Sequence, residues 1–283
     1  MGASAVPAVR RRLVGAALRR YREARGFSLQ DAGRMLGCDK SKVSRIETGE
    51  RGIREHDLED LLAEYGAGDG ERAVLLALAG RRAPRGWWDA YAGVLPPAVV
   101  DYLALEAAAS QVLVYEGERV PALLRSGGYA MALAGRDPAV PAGTARVTAE
   151  VTAQRQRTVL QAGGKELVML IGEAALRRRV GGAQVMRGQI GRLARLSGQD
   201  GPVTVQVLPA ARAHPGAGSG PLTIFRFAPV PALGVVHLDS LAGGIFLDGQ
   251  DDLAGHTAAF ARLRACARSP EDSARLLSRL AAG

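Results

Sequence analysis

Cysteine and long apolar segments are scarce in this sequence, and their scarcity excludes several classes of protein. Only two of the 283 residues are cysteines, Cys38 and Cys266, which are too few and too far apart to indicate a disulfide framework or a zinc site. No segment reaches the roughly 18 consecutive apolar residues of a membrane helix. The amino terminus lacks the apolar region and the cleavage site of a secretory signal. We therefore expect a cytosolic protein that contacts no membrane.

Catalytic motifs are also missing from the sequence. It contains no GxxxxGK(S/T) phosphate loop, no GxGxxG after a predicted strand, and no GxSxG turn between a strand and a helix. The spacing of His214, His237 and His256 matches no metal-ligand pattern. Glu106 and Glu173 lie in apolar segments and could be acids of a pocket, although Glu173 could equally cap the helix that it begins. We expect no enzymatic activity, no metal and no cofactor.

The positive charge of the chain is concentrated at one end. The formal net charge is +9, and residues 1–54 hold thirteen Arg and Lys against five acids, whereas residues 55–283 hold twenty-four against twenty-three. The chain has only three lysines, and two of them are Lys40 and Lys42. Such a local excess is typical of a surface that contacts the phosphate backbone of a nucleic acid.

Residues 27–51 predict two short helices separated by a glycine turn. The apolar positions of the first helix recur with the spacing i, i+3, i+4 and i+7, which places them on one face: Leu29, Ala32, Gly33 and Leu36. Ser28 stands at the N-cap position of this helix, and Gly37 ends it because glycine tolerates positive φ. Asp39 can cap a second helix over about Lys40–Thr48.

The outward face of the second helix carries the chemistry of a DNA-reading surface. Val43 and Ile46 point inward, whereas the opposite face and its flanks present only cationic and hydroxylic groups. Such a helix suits the major groove, where Arg and Lys donate to guanine and Ser bonds to bases or phosphate. An ordinary solvated surface is the alternative. The spacing favours DNA, with base contacts from Lys40, Ser41, Ser44 and Arg45 and phosphate contacts from Gln30, Lys42, Arg51 and Arg54.

Three motifs within residues 13–65 carry a family resemblance: LRRYREARGFSL, AGRMLGCDKSKVSRIE and TGER. This region resembles the lambda-repressor-like helix-turn-helix domain of the xenobiotic-response-element (XRE) type. The resemblance implies that Arg22 and Glu47 form a buried ion pair, which acts as a positioning device more than as a source of stability. Gly33 is a departure, because the family more often has Ala there. Glycine should cost the first of the two helices about 1 kcal/mol relative to Ala.

The rest of the amino-terminal region predicts a compact helical bundle followed by a linker. Further helices are expected over about 10–25, 55–65 and 71–79, after a disordered arm at 1–9. Residues 80–86 (GRRAPRG) are typical of a linker. Trp87 and Trp88 are the only tryptophans, and they either pack in a core or line a surface for a ligand or partner.

A second set of motifs begins at residue 102 with YLALEAAASQVLVYEGERVPALLRSGGYAMAL. It resembles a carboxy-terminal domain of unknown function that follows this helix-turn-helix in many actinomycete regulators, including antitoxin-like members. The matching positions are Tyr102, Leu105–Glu106, Ala109, Tyr115–Glu116, Val120–Pro121, Leu123–Leu124 and Tyr129–Ala130, with further matches at Arg155–Gln156, 171–182 and 205–209. Three positions depart from the pattern: Ala122 replaces Gly, Arg125 replaces Gln and Ser126 replaces Thr.

Apolar periodicity predicts mixed helix and strand content for this second region. Helices are expected over about 101–115, 145–162, 173–179, 183–196 and 251–267 and from Ser269–Pro270 onward. Strands are expected over about 167–171, 203–208, 222–227, 235–239 and 244–248, the last three in meander order, with a mobile loop at 209–221. The predicted fold class is multidomain, with an all-α helix-turn-helix bundle at 1–80, a linker with the tryptophan pair at 81–100, and an α+β (mixed α/β) domain at 101–283.

These observations predict a transcriptional regulator that binds double-stranded DNA as a homodimer. A dimer on a palindromic operator reads two half-sites about one helical turn apart, which provides the affinity that one domain lacks. The carboxy-terminal domain is expected to sense a small molecule; the alternative, implied by the resemblance to antitoxin-like members, is binding of a small partner protein. An enzyme and a plain dimerisation module are further alternatives. Candidate pocket residues are Trp87, Trp88, Tyr102, Glu106, Tyr115 and Glu173.

Overall fold

The structure is a computed structural model, and it describes residues 8–80, 86–91, 93–135, 144–161, 163–197, 203–211, 220–230, 232–240 and 244–282. The chain divides into two compact units. The first comprises Met1–Ala109 and Arg226–Gly234, and the second comprises Ser110–Phe225 and Val235–Gly283. Among the residues described, no helix is both long and apolar enough to span a membrane.

The first unit is helical. Its elements are α1 (Ala8–Ala24), α2 (Leu29–Met35), α3 (Lys40–Glu47), α4 (Glu55–Glu64), α5 (Asp69–Ala79), a 3-10 turn (Trp87–Tyr91) and α6 (Pro97–Ala108). The helices bury the apolar stripes that their periodicity predicts, and the largest fully buried side chains of the unit include Leu13, Leu18, Leu58, Leu61, Leu62, Tyr65, Leu75, Leu78, Leu105 and Phe227. The predicted all-α amino-terminal bundle is confirmed. The arm at 1–7 and the linker residues 81–85 lie outside the described residues.

Two glycines allow the backbones of this unit to approach closely. A Cβ atom on Gly15 of α1 would lie 2.4 Å from the carbonyl oxygen of Ile46, so α1 packs directly against the end of α3. A Cβ atom on Gly33 of α2 would lie 2.6 Å from the carbonyl oxygen of Cys38, in the turn that leads to α3. The departure from Ala at position 33 therefore has a local cause, because this turn leaves no room for a methyl group.

The second unit is built on a six-stranded sheet in the order β3-β2-β1-β4-β5-β6. The strands are β1 (Gln111–Glu116), β2 (Glu166–Gly172), β3 (Thr204–Leu208), β4 (Leu222–Arg226), β5 (Gly234–Leu238) and β6 (Ile245–Leu247). Strands β1, β2 and β3 pair in parallel, with Gln111 opposite Glu166 and Val168 opposite Thr204, whereas β5 and β6 pair antiparallel. The last three strands, β4, β5 and β6, are neighbours in the sheet in the same order as in the chain, as the predicted meander requires.

Helices and one short turn complete the second unit. They are a 3-10 turn (Ala122–Leu124), α7 (Gly127–Ala134), α8 (Ala145–Gln161), α9 (Glu173–Arg177), α10 (Ala183–Leu196), α11 (Gln250–Cys266) and α12 (Pro270–Ala282). One apolar core is formed by side chains of the sheet and of α11, namely Leu113, Tyr115, Val168, Leu170, Leu208, Leu222, Ile224, Val236, Leu253, Phe260 and Leu263. The predicted α+β class of this domain is confirmed.

One predicted element is wrong. The helix expected over 101–115 ends at Ala108 as α6, and residues 111–116 form β1, which is a central strand of the sheet. A short apolar run does not distinguish a buried strand from a helix, and only pairing with β2 decides between them. Helix α6 and residues 226–234 also belong to the first unit, whereas the sequence-based boundary at 100 assigned residues 101–108 and 226–234 to the second domain.

Candidate nucleic-acid interface

Helix α3 is held by its inner face and capped at its first turn. The Asp39 side chain accepts a hydrogen bond from the backbone N–H of Lys42 at 2.8 Å, as an N-cap residue does. This bond holds the pKa of Asp39 below its usual range, so that the cap is ionised at neutral pH. Val43 and Ile46 are only 1% and 3% exposed. The opposite face of the helix is therefore presented in a fixed orientation.

The eight residues predicted to contact DNA lie together on one segment. They occupy the first turn of α2, the outer face of α3, and the loop that follows α3. In the full chain Gln30, Lys40, Ser41, Arg45, Arg51 and Arg54 are exposed, and Lys42 and Ser44 are half-buried. The backbone N–H of Arg51 donates to the carbonyl of Arg45 at 2.9 Å, which ties the following loop to the end of α3.

The electrostatics of this segment leave its cations uncompensated. Three of the four acids within residues 27–54 are engaged locally, because Asp31 belongs to the capping box of α2 and pairs with Arg34, Asp39 caps α3, and Glu47 pairs with Arg22. Within the described residues, no ion pair involves Lys40, Lys42, Arg45 or Arg51. An exposed surface with several unpaired cations and few free acids attracts a polyanion.

A buried ion pair connects α1 to α3. Arg22 Nε donates to Glu47 Oε1 at 2.7 Å and Arg22 Nη2 donates to Glu47 Oε2 at 2.9 Å, which is a bidentate geometry. The two side chains are 9% and 5% exposed. Arg22 Nη1 also donates to the carbonyl of Phe27 at 2.7 Å, just before the cap of α2. These are the two residues for which the family resemblance implied a pair, and together they fix α1, the start of α2 and the end of α3.

Arg11 of α1 contacts the turn that follows α3, and the sequence analysis did not predict this contact. Its Nε donates to the carbonyl of Gly49 at 3.0 Å, in the turn that ends α3. Gly49 has a φ of 75°, a left-handed conformation that favours glycine. In the sequence, Arg11 lies in the helix expected over about 10–25, and no local signal marks this contact. The contact orients the loop that carries Arg51.

The six residues of the predicted pocket are divided between the two units. Trp87 and Trp88 form a T-shaped pair with ring centroids 5.7 Å apart, and Trp87 also contacts Tyr91 edge-on at 6.1 Å. Tyr102 is half-buried and Glu106 is 1% exposed, both on α6. These four residues belong to the first unit.

The remaining two predicted pocket residues make structural contacts in the second unit. Tyr115 packs in the apolar core of the sheet. Glu173 accepts hydrogen bonds from Arg177 at 2.6 Å and from the backbone N–H of Ala210 at 3.1 Å, and both lower its pKa. Glu173 is thus held by structural contacts, but it does not cap α9, whose N-cap residue is Gly172 and which has no side-chain cap hydrogen bond. A pocket that combines all six residues stays a prediction.

Comparisons with known proteins match two regions of the chain, and the second match begins within α6. Residues 13–75 match a family model described as a helix-turn-helix domain, which spans α1 to α5. With the geometry of α2 and α3, this match defines the class of the first unit as helix-turn-helix and indicates a DNA-binding regulator. Residues 99–279 match the family model of a domain of unknown function, DUF5753, over more than half of the chain. The protein belongs to this family. No curated protein and no solved structure matches the chain.

Proposed function

We propose that the protein is a sequence-specific DNA-binding transcriptional regulator of the XRE type. The observation that carries this proposal is the outer face of α3, which exposes Lys40, Ser41 and Arg45 while Val43 and Ile46 anchor the inner face. A helix with this distribution fits the major groove, because its donors reach base edges without losing contacts within the protein.

The proposed contacts fall into two classes. Lys40, Ser41, Ser44 and Arg45 read base edges, whereas Gln30, Lys42, Arg51 and Arg54 bind phosphates and set the register of the protein on the duplex. Arg45 Nε makes only a long hydrogen bond of 3.3 Å to the carbonyl of Ser41. The guanidinium can therefore leave its own helix and bind guanine at small cost.

The proposal includes a homodimer on a palindromic operator. One helix-turn-helix offers few base-reading side chains, and two copies about one helical turn of DNA apart double that number. The second unit is proposed to sense a small molecule and to change the spacing of the two DNA-binding units. This part of the proposal rests on the presence of a second domain of different architecture in the same chain.

The test is a comparison of two arginine variants on DNA from the region upstream of the protein's own gene. Arg45→Ala should weaken binding to the footprinted operator by about 1–3 kcal/mol, or about 5- to 150-fold, and relax the sequence preference. Arg51→Ala should weaken binding to specific and nonspecific DNA alike and reduce the salt slope by about 1. The control is Arg262→Ala, which removes an exposed arginine of α11. Binding that is independent of salt, or an equal loss for Arg45→Ala on all sequences, would contradict the proposal.

A further inference from the structure

The second unit contains a group of charged side chains around the carboxyl end of β1, and we call it the Glu116 cluster. Its members come from the end of β1, the residues that follow β1, helix α8, and strand β5 with its next residue. They interact electrostatically with one another, as their mutual effects on pKa indicate. The cluster consists of Glu116, Arg119, Arg125, Arg155, His237 and Asp239.

Glu116 is a buried carboxylate with an unused acceptor atom. The residue is 8% exposed, and its Oε2 accepts no hydrogen bond from the part of the chain that the structure describes. Arg119 Nε lies 3.7 Å from this oxygen, beyond hydrogen-bond range, and Arg119 Nη2 donates to Asp239 at 2.9 Å. Burial raises the pKa of Glu116 to about 7. Buried polar atoms are nearly always hydrogen-bonded, so this oxygen requires a donor from outside the described residues.

Arg125 is a guanidinium with unused donors on a rigid support. Its Nε donates to the carbonyl of Val120 at 2.8 Å, and its two terminal nitrogens donate to none of the described residues. Gln156 of α8 and Gln189 of α10 hold the backbone of residues 122–126 through hydrogen bonds of 2.6 to 3.0 Å. Gln189 is fully buried. The guanidinium is therefore preorganised, and binding an acceptor would cost little ordering of the chain.

Glu116 and Arg125 carry opposite charges and do not touch. Each shifts the pKa of the other, yet no ion pair joins these two residues in the structure as described. Burial also lowers the pKa of Arg125. The Glu116 carboxylate pairs instead with Arg119, whose Nε lies 3.7 Å away, and this pair leaves Glu116 Oε2 without a hydrogen bond. A group that accepts from the half-buried Arg125 and donates to Glu116 would satisfy both side chains.

The chemistry of the cluster selects an amphoteric ligand. A metal cation is disfavoured by three arginines, and among the described residues no three His, Cys, Asp or Glu lie close enough together to hold a metal. A simple anion would satisfy Arg125 but would leave the Glu116 oxygen without a donor. A carboxylate suits a guanidinium because two parallel hydrogen bonds form, and an adjacent ammonium supplies the donor for Glu116.

We propose that the Glu116 cluster binds a free α-amino acid, with its carboxylate on Arg125 and its ammonium on Glu116. Arg125 stands where the family pattern has Gln, so the cationic half of this site is a departure from that pattern. The role of this amino acid as an effector rests on the function proposed above. Its binding to the second unit can be tested without DNA.

The experiment is isothermal titration calorimetry and thermal shift on the full chain with each protein amino acid in turn. At least one should bind with a Kd below about 1 mM. Probes that carry half of the chemistry, namely acetate, methylamine and inorganic phosphate, should not bind in the same range. Glu116→Gln and Arg125→Gln should each weaken binding of the amino acid at least tenfold, since each removes one charge. Glu116→Gln does so at nearly constant side-chain volume, whereas Arg125→Gln also shortens the side chain.

The control variant is Arg178→Gln, which removes an exposed arginine that pairs with Glu118 in the same unit and should leave binding unchanged. No binding by any amino acid would overturn the proposal, as would binding that both cluster variants retain. Phosphate binding that needs Arg125 but not Glu116 would identify a simple anion site and would also overturn it. If Arg125→Gln fails to fold, Glu116→Gln decides the question. Amino-acid binding without an effect on DNA affinity would refute only the effector role, and loss of the DNA-binding proposal would leave this site intact.

Discussion

Replacing Arg22 by Met should destabilise the first unit far more than removing an exposed ion pair on the same helix. Methionine keeps an unbranched apolar stem at position 22 but has no guanidinium, so the Glu47 carboxylate, which is 5% exposed, loses its two hydrogen bonds of 2.7 and 2.9 Å. It also leaves the carbonyl of Phe27 without the donor at 2.7 Å. Breaking one partner of a buried pair costs about 3–5 kcal/mol, because the other charge stays buried.

The expected change in thermal stability follows from the size of the unit. The first unit has 118 residues, a size between the ranges for which each kcal/mol lowers Tm by roughly 4–8 °C and roughly 2–4 °C. At about 4 °C for each kcal/mol, a loss of about 3–5 kcal/mol should lower Tm by about 12–20 °C. Both tryptophans of the chain lie in the first unit, and tryptophan fluorescence therefore reports its unfolding separately from the second unit. Urea unfolding followed by the same signal gives the free energy directly.

The control is Arg19→Met, also on α1. Arg19 pairs with Glu23 at 2.8 Å, but the two side chains are 63% and 52% exposed, and solvent screens the interaction. This variant should unfold like the wild type. The double variant Arg22→Met with Glu47→Leu should recover most of the loss, because the uncompensated charge is gone. Equal stabilities of Arg22→Met and Arg19→Met would refute the reasoning.

Three further predictions concern the turn of the helix-turn-helix, its cap and the support of the Glu116 cluster. Gly33→Ala should destabilise the first unit in urea unfolding followed by tryptophan fluorescence, because the new methyl group would lie 2.6 Å from the Cys38 carbonyl oxygen. This clash should outweigh the gain of about 1 kcal/mol in helix propensity from Ala. A more stable variant would contradict the packing argument. The lowered pKa of Asp39 stabilises α3 above the pKa that Asp has in the unfolded chain, about 3.9, and this stabilisation is lost as pH falls through the folded pKa. Asp39→Asn keeps the cap and should remove this pH dependence. The measurement is the protection of the Lys42 amide against hydrogen exchange as a function of pH. A variant that loses this protection at low pH as the wild type does would refute the assignment. Gln189→Leu should cost on the order of 1–3 kcal/mol for each backbone group left unpaired, measured by far-UV circular dichroism on heating, and an unchanged Tm would show that residues 122–126 are held by other contacts.

The helix-turn-helix could be predicted from the sequence because its signals are local. Ser28 caps α2 and Asp39 caps α3 through hydrogen bonds from residues three positions ahead, and these bonds form without any contribution from distant segments. Gly37 has a φ of 58°, as the predicted helix stop requires. The bounds of α2 and α3 consequently agree with the prediction within about one residue.

Strand β1 and the membership of α6 could not be predicted in the same way. Residues 111–116 are apolar over a length that suits either state, and their pairing partner in β2 begins 55 residues later, at Glu166. The division into compact units differs from the sequence-based boundary for a related reason, since residues 226–234 group with the first unit. Such membership depends on which surfaces are buried against each other, and local periodicity carries no information about it.

The sequence alone determined the helix caps, the glycine stops, the cationic outer face of α3 and the excess of charge at the amino terminus, since each depends on neighbours within a few residues. Tertiary structure alone decided that Gly33 is required by the Cys38 carbonyl and that Glu116 and Arg125 face the same cluster. In the sequence, Glu116 was one matching residue among many and Arg125 was a departure from a pattern. Their significance comes from the folded structure, which buries Glu116 Oε2 without a hydrogen bond and leaves the terminal nitrogens of Arg125 without an acceptor among the described residues.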